Sequence, residues 1–79
     1  HLLGVYRFSA SCEEYRNLLQ AWLADADNGD LLMCHPALSS PVGDPIGRQR
    51  TREFAVFSDD RFPTWIDANG LTVSRLLSV

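Results

Sequence analysis

"SASCEEYRNLLQAWLADADNGDLLMCH", residues 9–35, is the stretch on which the fold turns. Its first part is a helix with both ends marked. Ser11 and Glu14 have the Ser-x-x-Glu spacing of a capping box, in which each residue's side chain satisfies the other's exposed backbone amide. Tyr15, Leu18, Leu19, Trp22, Leu23 and Ala26 follow the i, i+3, i+4, i+7 rhythm of one broad apolar face. Asn28-Gly29 supplies a left-handed residue to stop it. The second part, "DLLMCH" (30–35), is an apolar run that does not alternate. A strand apolar on both faces is expected to be covered on both, as in a parallel sheet flanked by helices. A helix delivered into such a strand across a tight turn is one arm of a βαβ unit.

The chain on either side extends this pattern. "LLGVYRF" (2–8) has strand composition, weakened by Gly4. After His35 comes a loop punctuated by Pro36, Pro41, Gly43 and Pro45. Asp44 is a good N-cap, and Pro45 suits the first helical position. The helix "PIGRQRTREFAVFS" (45–58) is expected to pack through Ile46, Phe54 and Phe57. Ser58-Asp59 opens a second short helix, "DRFPTWIDANG" (60–70), in which Pro63 sits early enough to be tolerated and Asn69-Gly70 ends it. "LTVSRLL" (71–77) reads as a final alternating strand. The fold class is therefore α/β, with the order β-α-β-α-α-β, and residues 1–79 form a single fragment.

Composition bounds the partners. Seventy-nine residues allow one small domain, which buries only about 60% of its unfolded surface. Yet 46% of the residues are hydrophobic, more apolar surface than a small monomer comfortably hides. A piece of a larger protein, or a homo-oligomer, is expected. The opening His1-Leu2-Leu3, without an initiator methionine, points to a piece. A net charge of −3, with Arg48, Arg50 and Arg52 scattered around a helix, excludes the basic stripe of a nucleic-acid binder. No apolar run reaches the roughly 20 residues of a membrane span, and no signal-peptide pattern is present, so a cytoplasmic location is expected. Cys12 and Cys34 belong to no CxxC pair, and Cys34, in a buried strand, is expected to act as a small hydrophobe.

His35 is the candidate catalytic residue. Ligands gather at the carboxyl ends of parallel strands in open sheets and barrels, and His35 stands at such an end with the longest loop following it. Pro36 holds its predecessor extended, so the histidine stays out of a helix and faces the loop crevice. Imidazole titrates near neutrality and suits acid/base work; the competing role is a strand-end histidine bonded to a carbonyl. Asp59-Asp60 is explained by a helix N-cap and a first-turn acid. Arg50 and Glu53, three apart, are expected to pair on a helix surface. One histidine beside one cysteine falls short of the three or four ligands of a zinc site, so no metal is expected at this chain's own residues.

Met33-Cys34-His35-Pro36, then Arg50 and Glu53 as Arg-x-x-Glu, then the short helix closed by Gly70-Leu71, resemble the C-terminal part of the YdjC-like carbohydrate deacetylases. That family includes chitooligosaccharide deacetylases and members associated with hopanoid biosynthesis. The resemblance spans nearly all 79 residues. It implies the last part of a distorted β/α (TIM-like) barrel that removes N-acetyl groups from amino sugars. It also implies a divalent metal, Mg or Zn, held by an aspartate and histidines in the N-terminal part of the parent enzyme. His35 would be the acid/base or substrate-contacting residue, and the isolated chain is expected to be inactive. The alternative is a non-catalytic oligomerisation or interaction module derived from the same barrel.

Overall fold

Helix α1 (Cys12–Asp25) forms where the capping box places it. The Ser11 Oγ accepts from the Glu14 N–H at 3.1 Å, and Glu14 Oε1 accepts from the Ser11 N–H at 3.1 Å. Two amide groups that a helix start leaves without partners are thereby satisfied. Tyr15, Leu19 and Leu23 are buried, with Leu18, Trp22 and Ala26 half-buried on the same face. The helix ends earlier than Asn28-Gly29 suggests. Ala26 is already extended, because Asp30 Oδ2 accepts from the Asp27 N–H at 2.8 Å and the Asp27 carbonyl accepts from the Asp30 N–H at 3.1 Å. That local turn competes with the helix for backbone groups.

The computed structural model describes residues 2–39 and 42–74. On either side of α1 lie β1 (Leu2–Leu3) and β2 (Leu31–Leu32), paired in parallel with Leu2 opposite Leu31 and Leu3 opposite Leu32. The expected βαβ connection is present, but both strands are shorter than the apolar runs around them. Gly4 explains this. Its φ of +91° turns the chain out of the strand, and a Cβ there would stand 2.0 Å from the Met33 carbonyl oxygen. The Met33 N–H still donates to the Leu3 carbonyl at 2.9 Å, after which β2 pairs with no other strand among the described residues. Among the described residues, the strands are not covered on both faces. Leu2 is 56% and Leu31 48% exposed, and Cys34 lies at the surface as a free thiol.

Helix α2 (Gly47–Phe57) begins two residues later than expected. Asp44 serves the turn ahead of it: its Oδ1 accepts from the Ile46 N–H at 3.0 Å, and its carbonyl from the Gly47 N–H at 3.1 Å. The buried face matches the expected one only in part: Phe57 packs against the core, but the fully buried positions are others. Phe54 is 38% exposed and Ile46 and Phe57 are half-buried, whereas Gln49, Glu53 and Val56 are buried. Helix α3 (Phe62–Ala68) has Pro63 in its first turn and stops at Gly70, φ +65°. There the Gly70 N–H donates to the Asp67 carbonyl (3.0 Å) and the Leu71 N–H to Ile66 (3.1 Å), the paired bonds of a Schellman stop. Residues 71–74 form no strand, and the rest of the expected last strand lies outside the described residues.

The core is Ala10, Tyr15, Leu19, Leu23 and Val56, ringed by half-buried Tyr6, Trp22, Phe57, Phe62 and Trp65. Aromatic rings meet edge-on through it, Tyr15 with Trp22 at 5.9 Å and Phe57 with Phe62 at 5.2 Å. The result is a small mixed α/β domain of three helices and two parallel strands among the described residues. No described helix is long and apolar enough to cross a membrane.

Candidate functional site around His35 and Glu53

His35 lies three residues beyond β2, where the sheet has ended and the chain begins to run along α2. Its backbone N–H donates to Glu53 Oε1 at 2.7 Å. Pro36 has no amide hydrogen to give, and the Ala37 N–H donates to the Arg50 carbonyl at 3.2 Å. Every backbone donor from His35 to Ala37 is thus bonded to α2. The imidazole is half-buried and meets the Phe8 ring edge-on, with centroids 5.3 Å apart. Its Nδ1 is buried without a hydrogen-bond partner among the described residues.

Glu53 is fully buried. Isolating a carboxylate from water is costly unless donors surround it, and two segments supply them. Oε1 takes the His35 amide, and Oε2 takes the Tyr6 hydroxyl. Burial, then the hydrogen bond to Glu53, pushes the Tyr6 phenol far above its ordinary value, so Tyr6 stays a neutral donor. Tyr15 is raised by burial, then by the Glu53 charge. Although Cys34 is exposed as a residue, partial desolvation of its sulfur, then the same charge, raises its thiol. A thiol held protonated is a poor nucleophile and a poor metal ligand.

The same face of α2 grips the segment leading into α1. Gln49 Oε1 accepts from the Ala10 N–H at 3.1 Å, and Arg52 Nη1 donates to the Ala10 carbonyl at 3.1 Å. Gln49, Arg52, Glu53 and Val56 follow the i, i+3, i+4, i+7 spacing of a buried face, but three of the four are polar. That spacing was the signal available in the sequence; residue type concealed it.

The expected Arg50–Glu53 surface pair does not form, because Glu53 points inward. Arg50 Nε donates instead to Asp44 Oδ2 at 2.8 Å. The Ile46 amide, then Arg50, holds the Asp44 carboxyl below its ordinary value. The expected roles of Asp59 as N-cap and Asp60 as first-turn acid are not met: the cap residue of α3 is Arg61, and its first turn holds no acid. Asp59 is gripped by the Arg61 guanidinium at 2.7 and 3.0 Å, and its carbonyl accepts from the Phe62 N–H ahead of α3. Arg61 in turn lies over the Trp65 ring, 5.6 Å from its centroid. Asp60 is exposed.

The donor set around His35 does not fit a metal ion. Both Glu53 oxygens are committed to protein donors, Cys34 is held as a thiol, and no group of three His, Cys, Asp or Glu side chains comes together among the described residues. What the arrangement offers is a single imidazole, fixed by its backbone at the carboxyl end of a parallel strand. Comparison of this chain with protein-family models, curated proteins and solved structures found no match.

Proposed function

We propose that this chain is the C-terminal part of a distorted β/α barrel enzyme that hydrolyses N-acetyl groups on amino sugars, with His35 as its acid/base residue. The observation that carries the proposal is the placement of His35. It follows the carboxyl end of a parallel strand, and its backbone is bonded to the helix that carries Arg50 and Glu53. Ligands of β/α barrels meet the protein at that end. Support also comes from the sheet: among the described residues β1 and β2 pair only with each other, although parallel sheets are ordinarily larger and covered on both faces. The resemblance of Met33-Cys34-His35-Pro36 and Arg50-x-x-Glu53 to the YdjC-like deacetylases names the reaction class.

In amide hydrolysis the departing amine needs a proton, and an imidazole at the strand end is suited to deliver it. The divalent metal that the family uses, Mg or Zn, would be held by residues outside this chain. The test is acetate release from an N-acetylated chitooligosaccharide by the longer parent protein. His35→Asn is expected to lower turnover by about 10²–10⁴-fold while the melting temperature changes little. Turnover per folded molecule close to that of the parent would remove His35 from the chemistry.

The exposed apolar residues Leu2, Val5, Phe8 and Leu31 favour a second reading, an oligomerisation module in which a copy of the chain covers the short sheet. Light scattering separates the two. A dimer whose melting temperature rises with concentration supports the module, and a monomeric mass at tens of micromolar ends it.

A further inference from the structure

We propose that Glu53 is a positioning residue for His35, a buried carboxylate that sets where the imidazole stands without itself meeting a ligand. The inference concerns this chain's own geometry, and its catalytic meaning rests on the deacetylase proposal above.

Three observations carry it. First, Glu53 is fully buried in the middle of α2, where an apolar residue would fill the core without any need for donors. Second, its two oxygens serve two different segments: the Tyr6 hydroxyl, just after β1, and the His35 amide, just after β2. One side chain therefore ties the exits of both strands to α2. Third, the tied segment has no slack. With Pro36 lacking a donor and Ala37 bonded to the Arg50 carbonyl one turn away on the same helix, His35–Ala37 is held at both ends.

The ring position follows from this hold. His35 is packed edge-on against Phe8, and Phe8 in turn lies 4.9 Å from Tyr6, the other Glu53 partner. The imidazole is thus located from below by the Glu53–amide bond and from the side by an aromatic pair that Glu53 also anchors. Nothing in this arrangement requires Glu53 to touch substrate.

The experiment uses the 79-residue chain and two substitutions at one position. Glu53→Met keeps volume and removes both acceptors. Glu53→Gln keeps one carbonyl oxygen for the His35 amide, while its NH2 donates to the Tyr6 oxygen, which is able to accept. Site-resolved amide hydrogen exchange is the readout. Protection of the His35 amide is expected to fall by about 10- to 100-fold in Glu53→Met relative to core amides of α1, the equilibrium equivalent of a charge-assisted hydrogen bond. It is expected to be largely restored in Glu53→Gln. Tyr6→Phe is the control: it removes the other partner and should leave the His35 amide protected relative to α1.

A His35 amide that exchanges no faster than α1 in folded Glu53→Met overturns the proposal. So does a His35 amide already unprotected in the unsubstituted chain, a measurement that stands even where Glu53→Met fails to fold. In the parent enzyme, Glu53→Met should lower kcat per folded molecule with KM little changed, and Glu53→Gln should recover much of it. A parent that releases no acetate would refute the deacetylase proposal and leave the exchange result to decide this one.

Discussion

Helices α1 and α2 lie against each other and contribute to one core, yet α1 buries only apolar and aromatic side chains, while α2 buries two polar ones beside Val56. Tyr15, Leu19 and Leu23 of α1 are buried because they are apolar at helical spacing. Gln49 and Glu53 of α2 are buried because donors from distant segments meet them: the Ala10 amide for Gln49, the Tyr6 hydroxyl and the His35 amide for Glu53. α1 therefore supplies the bulk of the apolar burial, and α2 supplies the fastening. The lesson is that a helix face is selected by whatever satisfies it, and hydrophobicity is only the commonest way.

Removing apolar volume from α1 should do the most damage. Leu19 is fully buried, and Leu19→Ala is expected to destabilise by about 2–5 kcal/mol. A chain of this length has on the order of 4–12 kcal/mol in total, so the urea midpoint should fall by a large fraction. A loss under about 1 kcal/mol would mean that α1 does not anchor the core.

The matching change on α2 should cost less and act differently. Gln49→Leu keeps volume but leaves the Ala10 amide without its acceptor, at about 1–3 kcal/mol. Part of that is offset, because the Gln49 Nε2 is already buried without a partner. Stabilisation by Gln49→Leu would mean that α2 prefers an ordinary apolar face, and the contrast with α1 would disappear. Denaturant titration of both variants, side by side, measures the difference.

The helix starts give a smaller contrast. Ser11→Ala removes the acceptor for the Glu14 amide and should cost about 1 kcal/mol. Its signature should be fraying of the first turn of α1, seen as faster amide exchange there, with α2 unchanged. Equal loss of protection in both helices would show that the cap supports the whole domain.

The smallest effect is on the acid side. The Ser11 amide at the start of α1 lowers the Glu14 carboxyl, and the Ile46 amide before α2, then Arg50, lowers Asp44. Each folded value is depressed, so each carboxylate contributes stability that is present above its ordinary value, near 4.5 for Glu14 and 3.8 for Asp44. That contribution is lost as pH falls through the lowered folded value. Glu14 is exposed and Asp44 half-buried in a local turn, and each is held by a neighbour in sequence, so the change should be slight. Glu14→Gln and Asp44→Asn should each flatten the acid limb of a stability–pH curve; a steeper limb in either would reverse the sign argued here.

The candidate site was half legible in the same way. His35 stood out because the strand-end position and Pro36 are local features of the sequence. Glu53 was marked only within the Arg-x-x-Glu resemblance, since by spacing alone an acid three residues from an arginine on a helix ordinarily marks a surface pair. Its inward orientation depends on Tyr6, 47 residues away, and on the His35 amide, 18 residues away.

What the sequence by itself determined are the features whose partners lie within a few residues. The Ser11–Glu14 box, the apolar face of α1, the Gly70 stop of α3 and the order of the first five elements all belong here. Tertiary structure alone decided how long the strands are and which face α2 buries. β1 stops because Gly4 must pass against the Met33 carbonyl, a contact made only once α1 has brought the two strands side by side. α2 turns Gln49 and Glu53 inward because donors from Tyr6, Ala10 and His35 converge there, and a buried acceptor is stable only where such donors meet it.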